Sequence, residues 1–149
     1  MTLDGIDANL IRWFRRISEP SARFGLFVVY FWFGALKVFG LSPATPLVQA
    51  LFERTISFMP FSTFIILFGI FEMLIGVLFA IHGLERWVIP FLFIHMVMTF
   101  LPLFMIPSAT WSGFFVPTLE GQYIIKNLLL ISAAIGIAAH LRPLSRHNL

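Results

Sequence analysis

Four apolar runs, each close to 20 residues long, are the feature of this sequence that most restricts its fold. They cover residues 24–40, 61–81, 87–106 and 123–140 of the 149-residue chain. A helix needs about 20 apolar residues to cross the roughly 30 Å hydrocarbon core of a bilayer, and it satisfies its own backbone hydrogen bonds there. The sequence therefore predicts an all-α integral membrane four-helix bundle that forms a single domain over residues 1–149.

The composition excludes most soluble classes of protein. The chain is 59% hydrophobic and only 11% charged, whereas a soluble domain has about 25% charged residues. A water-soluble monomer of this size could not bury so much apolar surface, so a soluble enzyme or a disordered regulator is excluded. The chain has no Cys, which excludes disulfide scaffolds, Cys-ligated metals and thiol catalysis by this chain alone.

The distribution of basic residues predicts the topology. Cytoplasmic loops of membrane proteins carry an excess of Lys and Arg. The arginines that precede the first run, separate the second from the third and follow the fourth are Arg12, Arg15, Arg16, Arg23, Arg86, Arg142 and Arg146. The opposite side has Arg54, together with Lys37 and Lys126 inside the helix ends. Both termini are therefore predicted to lie in the cytoplasm, and the net charge of +3 is assigned to topology and not to nucleic-acid binding. A signal peptide is the competing interpretation of the first run, and the absence of a convincing cleavage site disfavours it.

Two segments outside the spans are predicted to be short amphipathic helices at the membrane surface. Residues 1–22 interleave arginines with apolar side chains, and the Ser-Glu-Pro-Ser stretch at 18–21 is expected to break the chain before the first span. Thr45 and Pro46 are predicted as the N-cap and first residue of a second helix that ends before Pro60.

The second outer loop, residues 107–120, carries Trp111, Phe114 and Phe115. Aromatic residues at this position are typical of an interfacial belt or of a lid over the bundle. Thr118 is predicted to cap the fourth span, and Pro102 is predicted to kink the third and to free a backbone carbonyl.

Ionisable residues within the spans are the strongest functional candidates, because they are costly in hydrocarbon and usually face the bundle interior. Glu72 lies near the middle of the second span, with Gly69 and Gly76 on the same helical face, where a neighbouring helix can approach closely. His95 lies at a similar depth in the third span, so the two side chains are predicted to meet. Glu72 is interpreted either as a proton-exchanging or ligand-contacting carboxyl or as a buried group that joins two helices. His95 is interpreted either as a partner in a proton relay or as a neutral imidazole bonded to a carbonyl or to Thr99.

A second group of polar residues is predicted at the outer mouth of the bundle. Lys37 and Lys126 are expected at similar depth, with Glu120 and Glu53 available as counter-charges. The polar opening of the fourth span is formed by Glu120, Gln122, Tyr123, Lys126 and Asn127. These residues predict either a vestibule for an anion, a carbonyl or a quinone ring oxygen, or lysines that extend to the membrane surface and pair with the glutamates. The other histidines, His82, His140 and His147, lie at the cytoplasmic edge and form no ligand pattern, so no metal site is predicted.

Several motifs resemble the DoxX-like family of small bacterial membrane proteins. They are FWFGALK at 31–37 with LSPA at 41–44, FEMLIG at 71–76, HMVMTFLPL at 95–103 and, most specifically, PTLEGQYIIKN at 117–127. The resemblance extends over all four apolar runs, from about residue 23 to residue 139.

The resemblance implies a four-helix protein of the bacterial inner membrane. Members of the family are associated with quinone-linked sulfur oxidation, as subunits of a thiosulfate:quinone oxidoreductase, or with redox-stress defence. The family's polar positions correspond here to Lys37, Glu72, His95, Glu120, Gln122, Tyr123, Lys126 and Asn127. With no Cys, this chain alone cannot handle sulfur covalently, so any enzymatic role would be as part of a quinone-linked oxidoreductase system.

The expected function is that of a redox- or quinone-associated accessory protein or subunit, with quinone as the cofactor that the resemblance suggests. The quinone tail would lie among Phe side chains, and its ring oxygens would contact Lys126, Tyr123 or Glu120. One alternative is a non-catalytic membrane partner or assembly subunit, bound to another protein or to a second copy. The other is a small-solute or proton pathway through Glu72 and His95.

Overall fold

The computed structural model describes residues 3–56 and 58–141, and these are mostly helical. The elements in chain order are α1 (Leu3–Val38), α2 (Thr45–Thr55), α3 (Phe61–Ala80), α4 (Glu85–Phe100), α5 (Pro102–Met105), α6 (Pro107–Thr110), β1 (Trp111–Gly113), β2 (Val116–Pro117), α7 (Leu119–Lys126) and α8 (Leu128–Ala138). Arg142, Arg146 and His147, which entered the sequence predictions, lie outside the described residues.

Four helical segments are long and apolar enough to cross a membrane, as the sequence predicts. They are Asp4–Val38, Phe61–Ala80, Glu85–Met105 and Leu119–Ala138. Between 22% and 28% of the residues in their most apolar windows are buried. Most residues of these windows are therefore at least partly exposed although the windows are strongly apolar, which fits a multi-pass membrane protein.

The first helix is continuous, and the predicted break before the first span is wrong. Pro20 lies inside α1, where it removes one backbone hydrogen bond. Glu19 and Arg23 pair at 2.8 Å across this position, and Arg23 is itself held by other parts of the bundle, so the helix continues through the proline. It ends at Val38 because Gly40 adopts a φ of +70°, which reverses the chain in the usual way for a C-terminal glycine.

Helices α1 and α3 run antiparallel and cross at very short distance through glycines. A Cβ at Gly34 would lie 2.5 Å from the carbonyl oxygen of Gly69, and a Cβ at Gly76 would lie 2.8 Å from the backbone nitrogen of Phe31. Only a residue without a side chain fits at these positions. The predicted close approach of a neighbouring helix at Gly69 and Gly76 is thus confirmed, and α1 is that neighbour.

The third and fourth spans are each interrupted once. Leu101 separates α4 from α5, which begins at Pro102, the position at which the sequence predicts a kink. The Pro102 carbonyl accepts hydrogen bonds from the Ile106 N–H at 2.9 Å and the Thr110 hydroxyl at 3.4 Å. Asn127 separates α7 from α8. Both interruptions lie in the half of the bundle that contains the hairpin of β1 and β2.

The outer end of the bundle differs from its prediction in one cap. Helix α2 begins at Thr45 with Ala44 as the N-cap residue, and the Thr45 hydroxyl donates to the Ser42 carbonyl at 2.8 Å. Thr45 is therefore not the N-cap. Thr118 does cap α7, because its hydroxyl accepts the Gly121 N–H at 3.2 Å. Arg54 of α2 donates to the Met105 carbonyl, which ties α2 to α5.

The apolar core lies between α1, α3, α4 and α8 on the side opposite to the hairpin. Its fully buried members are Leu26, Tyr30, Ile75, Phe79, Val88, Leu92, Met96, Ala134 and Ile137. These residues fix the rotation of the four helices about their axes. The rotation in turn decides which polar side chains point inward.

Candidate functional site: a polar core within the bundle

Three predicted site residues meet inside the bundle, one from each of three helices. Lys37 comes from α1, Glu72 from α3 and His95 from α4. Each is only 5–6% exposed. The predicted contact between Glu72 and His95 is confirmed. Lys37 joins it from α1, next to the place where Gly34 of α1 meets Gly69 of α3, which we call the glycine crossing. We call these three residues, together with Tyr30 of α1, the polar core.

The polar core is a continuous chain of hydrogen bonds. The Lys37 ammonium donates to Glu72 Oε2 at 2.6 Å, and Glu72 Oε1 lies 2.8 Å from His95 Nε2. On the other side of the ring, His95 Nδ1 lies 3.2 Å from the Tyr30 hydroxyl and 3.4 Å from the hydroxyl of Thr99. Each oxygen of the carboxylate thus has its own partner.

One set of proton positions, with Glu72 as a carboxylate and Lys37 as an ammonium, satisfies all of these hydrogen bonds and leaves the polar core neutral. A carboxylate only accepts hydrogen bonds, so the hydrogen between His95 and Glu72 lies on Nε2. Nδ1 of a neutral imidazole is then an acceptor, which the Tyr30 hydroxyl satisfies as donor. One ammonium and one carboxylate balance each other, which is the charge state that a low-dielectric interior tolerates best.

Aromatic rings enclose the polar core. Phe68 stacks on His95 with 5.2 Å between ring centroids and 17° between planes, and its ring lies 5.5 Å from the Lys37 ammonium nitrogen. Tyr30 meets His95 edge to face at 5.1 Å. Because these rings replace water around the polar core, they strengthen the electrostatic interactions between its members. The Lys37 ammonium also lies over the π face of Phe68.

The spacing of residues along α1 explains why Lys37 faces inward. Tyr30, Gly34 and Lys37 follow one another at steps of four and three residues, so they lie on one stripe of the helix. Gly34 is the point of contact with α3. The stripe of α1 that contains Gly34 must therefore face α3, and this orientation places the Lys37 ammonium next to the Glu72 carboxylate.

The other predicted site residues do not join the polar core. Glu120, Gln122, Tyr123 and Lys126 are exposed on α7, and Asn127 is half-buried at the junction with α8. The Lys126 ammonium nitrogen lies 5.1 Å from the centre of the Tyr123 ring. The structure pairs Lys37 with Glu72 and not with Glu120 or Glu53, and among the described residues no contact joins Lys37 to Lys126. The glycine crossing rotates Lys37 to Glu72 instead.

A second buried ionic cluster was not predicted. Arg23 donates to Glu85, to the Phe79 carbonyl at 3.3 Å and to Glu19 at 2.8 Å. Glu85 also accepts the Gly83 N–H at 2.9 Å. The cluster fastens α1 to the turn between α3 and α4. Arg23 was interpreted only as a topology marker, although the spacing of Glu19 and Arg23 by four residues indicates an ion pair on one helical face.

One further surface lies outside the polar core. An open apolar groove of about 300 Å³ runs along α4 on the side of the helix away from His95, and its lining residues are Phe93, Met96, Val97, Phe100, Leu101, Phe104 and Ile131. Within residues 3–56 and 58–141, no three His, Asp or Glu side chains lie together in a way that could hold a metal ion.

The geometry defines a class of protein: a mostly helical chain with four helices able to cross a membrane and a buried Lys–Glu–His–Tyr chain at their centre. Comparison with protein-family models, curated proteins and solved structures found no match for the chain.

Proposed function

We propose that this chain is a multi-pass protein of the bacterial inner membrane that serves quinone-linked redox chemistry as an accessory protein or subunit. The observation that carries the proposal is the polar core, in which Lys37, Glu72, His95 and Tyr30 form one buried hydrogen-bonded chain. Apolar side chains would pack the same volume at lower desolvation cost, so ionisable groups at this depth point to a functional role. The resemblance to the DoxX-like family supports the same conclusion.

The donor groups of the polar core fit a quinone ring. A bound quinone would supply an electron-accepting ring whose oxygens take up protons on reduction. Lys37 carries three N–H donors, and Glu72 accepts from one of them in the described part of the chain, so a second acceptor can be bound. His95 and Tyr30 hold protons that can be exchanged within the chain. Phe68, which stacks on His95, is the side chain that a planar ring would replace.

The apolar groove along α4 fits the other half of such a ligand. Its lining is almost wholly hydrocarbon, which suits an isoprenoid tail, and Met96 in its wall is adjacent to His95 in the chain. The groove lies on the side of α4 away from His95, so the proposed function requires the ring and the tail to bind on different faces of this helix.

The test is the quinone content of the protein purified in mild detergent, followed by titration with a short-tail quinone. We expect saturable binding that is lost in Glu72→Gln and His95→Ala. Glu53→Gln, which changes an exposed carboxylate on α2 outside the polar core, should bind as the unmodified protein does. No bound quinone and no saturable signal would contradict the proposal.

A second candidate function is that of a non-catalytic partner subunit, and the hairpin favours it. Phe114 and Phe115 at its tip are 93% and 80% exposed. Photo-crosslinking from these two positions in native membranes would yield a stable protein adduct in this case. Adducts with lipid alone would contradict a partner at this surface.

The third candidate is a proton pathway, favoured by the 2.8 Å contact between Glu72 and His95. Proton flux into liposomes that contain the protein would then be abolished by Glu72→Gln. Flux that persists in this variant would exclude the pathway.

A further inference from the structure

The first part of α1 extends beyond the bundle without packing on it. Among residues 4–23, Arg23 is the first that is buried. Leu10, Trp13 and Phe14 are 49%, 54% and 57% exposed, although they are large and apolar. Exposed apolar side chains that form one continuous strip indicate an interaction surface.

The apolar residues and the arginines lie on different faces of the helix. One stripe, which we call the apolar strip, contains Ile6, Leu10, Trp13 and Ile17, because they follow one another at steps of four, three and four residues. Seven residues further on, the same stripe contains Phe24, which is 67% exposed on the outside of the bundle.

Two of the three arginines continue the inward-facing stripe of Arg23. Arg12 and Arg16 precede the buried Arg23 by eleven and seven residues, which places them on the same helical face. This face lies roughly 100° around the helix from the apolar strip, and Arg15 lies further around, on the side away from the strip. The apolar strip thus points away from the packed face of α1, and Arg12 and Arg16 lie on that face.

Pro20 separates this segment from the part of α1 that is fastened. Arg23 is held by Glu85 and by the Phe79 carbonyl, so α1 is fixed from this residue onward. Pro20 has no N–H and cannot bond to the Arg16 carbonyl, which makes this point the weakest of the helix. A bend of α1 at Pro20, away from the bundle, would turn the apolar strip towards the membrane surface at which the spans end.

We propose that residues 4–19 bind the anionic bilayer surface next to which α1 emerges, with the apolar strip in the lipid and the arginines in the headgroup region. Residues 8–18 contain three arginines and no acidic residue, so this central part of the segment carries a charge of +3 that complements anionic headgroups. The three acidic residues of the segment lie at its ends: Asp4 and Asp7 at the far end, and Glu19, which pairs with Arg23, at the near end. At 1.5 Å per residue the segment reaches roughly 20 Å along the surface. This inference rests on the proposal that the four long helices span a bilayer.

The chain has no Cys, so single spin labels can be placed in the full-length protein. We would label Leu10→Cys on the strip, Ala8→Cys on the opposite face and Trp32→Cys on the lipid-facing side of the span. Each variant is placed in nanodiscs of phosphatidylcholine, with or without one quarter phosphatidylglycerol. Accessibility to oxygen and to a nickel chelate then reports whether a label lies in lipid or in water.

We expect the oxygen-to-nickel accessibility ratio to be several-fold higher at position 10 than at position 8 in the anionic nanodiscs. The difference should shrink in phosphatidylcholine alone and when Arg12, Arg15 and Arg16 are changed to Gln. Equal, water-like values at positions 8 and 10, with a lipid value at position 32, would overturn this inference alone. A water-like value at position 32 would overturn the membrane span itself. Spin–spin broadening at position 10 in discs that hold two copies would assign the strip to a second copy and also overturn the proposal.

Discussion

At the scale of the residue, Glu72 links three helices, because one carboxylate oxygen receives Lys37 of α1 and the other receives His95 of α4. Its contact with His95 could be predicted, since short connections make α3 and α4 neighbours and both residues lie at mid-span. The position of Lys37 could not be predicted from depth alone. It depends on the rotation of α1 about its axis, which the glycine crossing sets.

Removal of the Glu72 carboxylate should expose the cost of an unpaired buried charge. Glu72→Leu leaves the Lys37 ammonium without its partner, and we expect a loss of about 3–5 kcal/mol in the free energy of unfolding. Lys37→Met combined with Glu72→Leu should recover most of this loss, because no buried charge remains. Unfolding of the purified protein by a denaturing detergent measures both.

Glu120→Leu is the control for this pair, since Glu120 is exposed, and its effect should be small. If the single and the double variants are equally unstable, the Lys37–Glu72 ion pair does not act as described.

Tyr30→Phe should separate the hydrogen bond to His95 from the packing of the ring. The variant keeps the edge-to-face contact and removes the donor to Nδ1, so we expect a loss of about 1 kcal/mol in the free energy of unfolding. Tyr123→Phe is the matched control, because Tyr123 is 61% exposed and its hydroxyl should contribute little. Equal effects of the two variants would argue against the proposed donor role of Tyr30.

At the scale of the element, helices α1 and α3 supply three of the four residues of the polar core. The close packing of these two helices depends on glycines, which have no side chain. The importance of Gly69 and Gly76 could be predicted from their place on the Glu72 face. The continuity of α1 through Pro20 could not, because it depends on Arg23 and on long-range contacts with Phe79 and Glu85. A proline in a sequence indicates a weakened helix, and tertiary contacts decide whether the helix breaks.

Gly34→Ala should push α1 away from α3. The added Cβ would lie 2.5 Å from the Gly69 carbonyl oxygen, so the backbones must separate and the bond from Lys37 to Glu72 must lengthen. We expect a loss of about 1–3 kcal/mol in unfolding free energy, as for other overpacked sites. Denaturant titration of the purified variant measures it.

Gly25→Ala is the control on the same helix, because nothing lies within 4 Å of its added Cβ. It should be neutral or stabilising by about 0.5–1 kcal/mol, since alanine favours helix over glycine. A destabilisation equal to that of Gly34→Ala would contradict the role of the crossing.

At the scale of the whole molecule, composition and run length were enough to predict four membrane-compatible helices. The polar residues of the fourth span were predicted as part of the site, yet most of them lie exposed on α7, because this helix packs through Gly121 and Ile124. Sequence periodicity does not reveal this face, since the Cβ-free Gly121 that packs against Thr110 carries no hydrophobic signal.

The predicted topology can be tested by labelling with a membrane-impermeant maleimide in intact cells. We expect Ser112→Cys, in the hairpin, to react from outside. His82→Cys, in the turn between α3 and α4, should react only after the membrane is opened. Both positions are exposed, so the difference would report the side of the membrane. The reverse pattern would invert the assignment of both termini to the cytoplasm.

The distance of 35 positions along the chain between Lys37 and Glu72 has a consequence for biosynthesis. At a synthesis rate of about 5–20 residues per second, the lysine is made roughly 2–7 seconds before its partner. In a chain inserted into a bilayer span by span, α1 would carry during that interval a cation that can reach only headgroups or water, and it could extend there because Lys37 lies one residue before the end of the helix. Arrival of α3 would then draw the charge inward, so the nascent chain and the finished bundle would place the same ammonium at different depths.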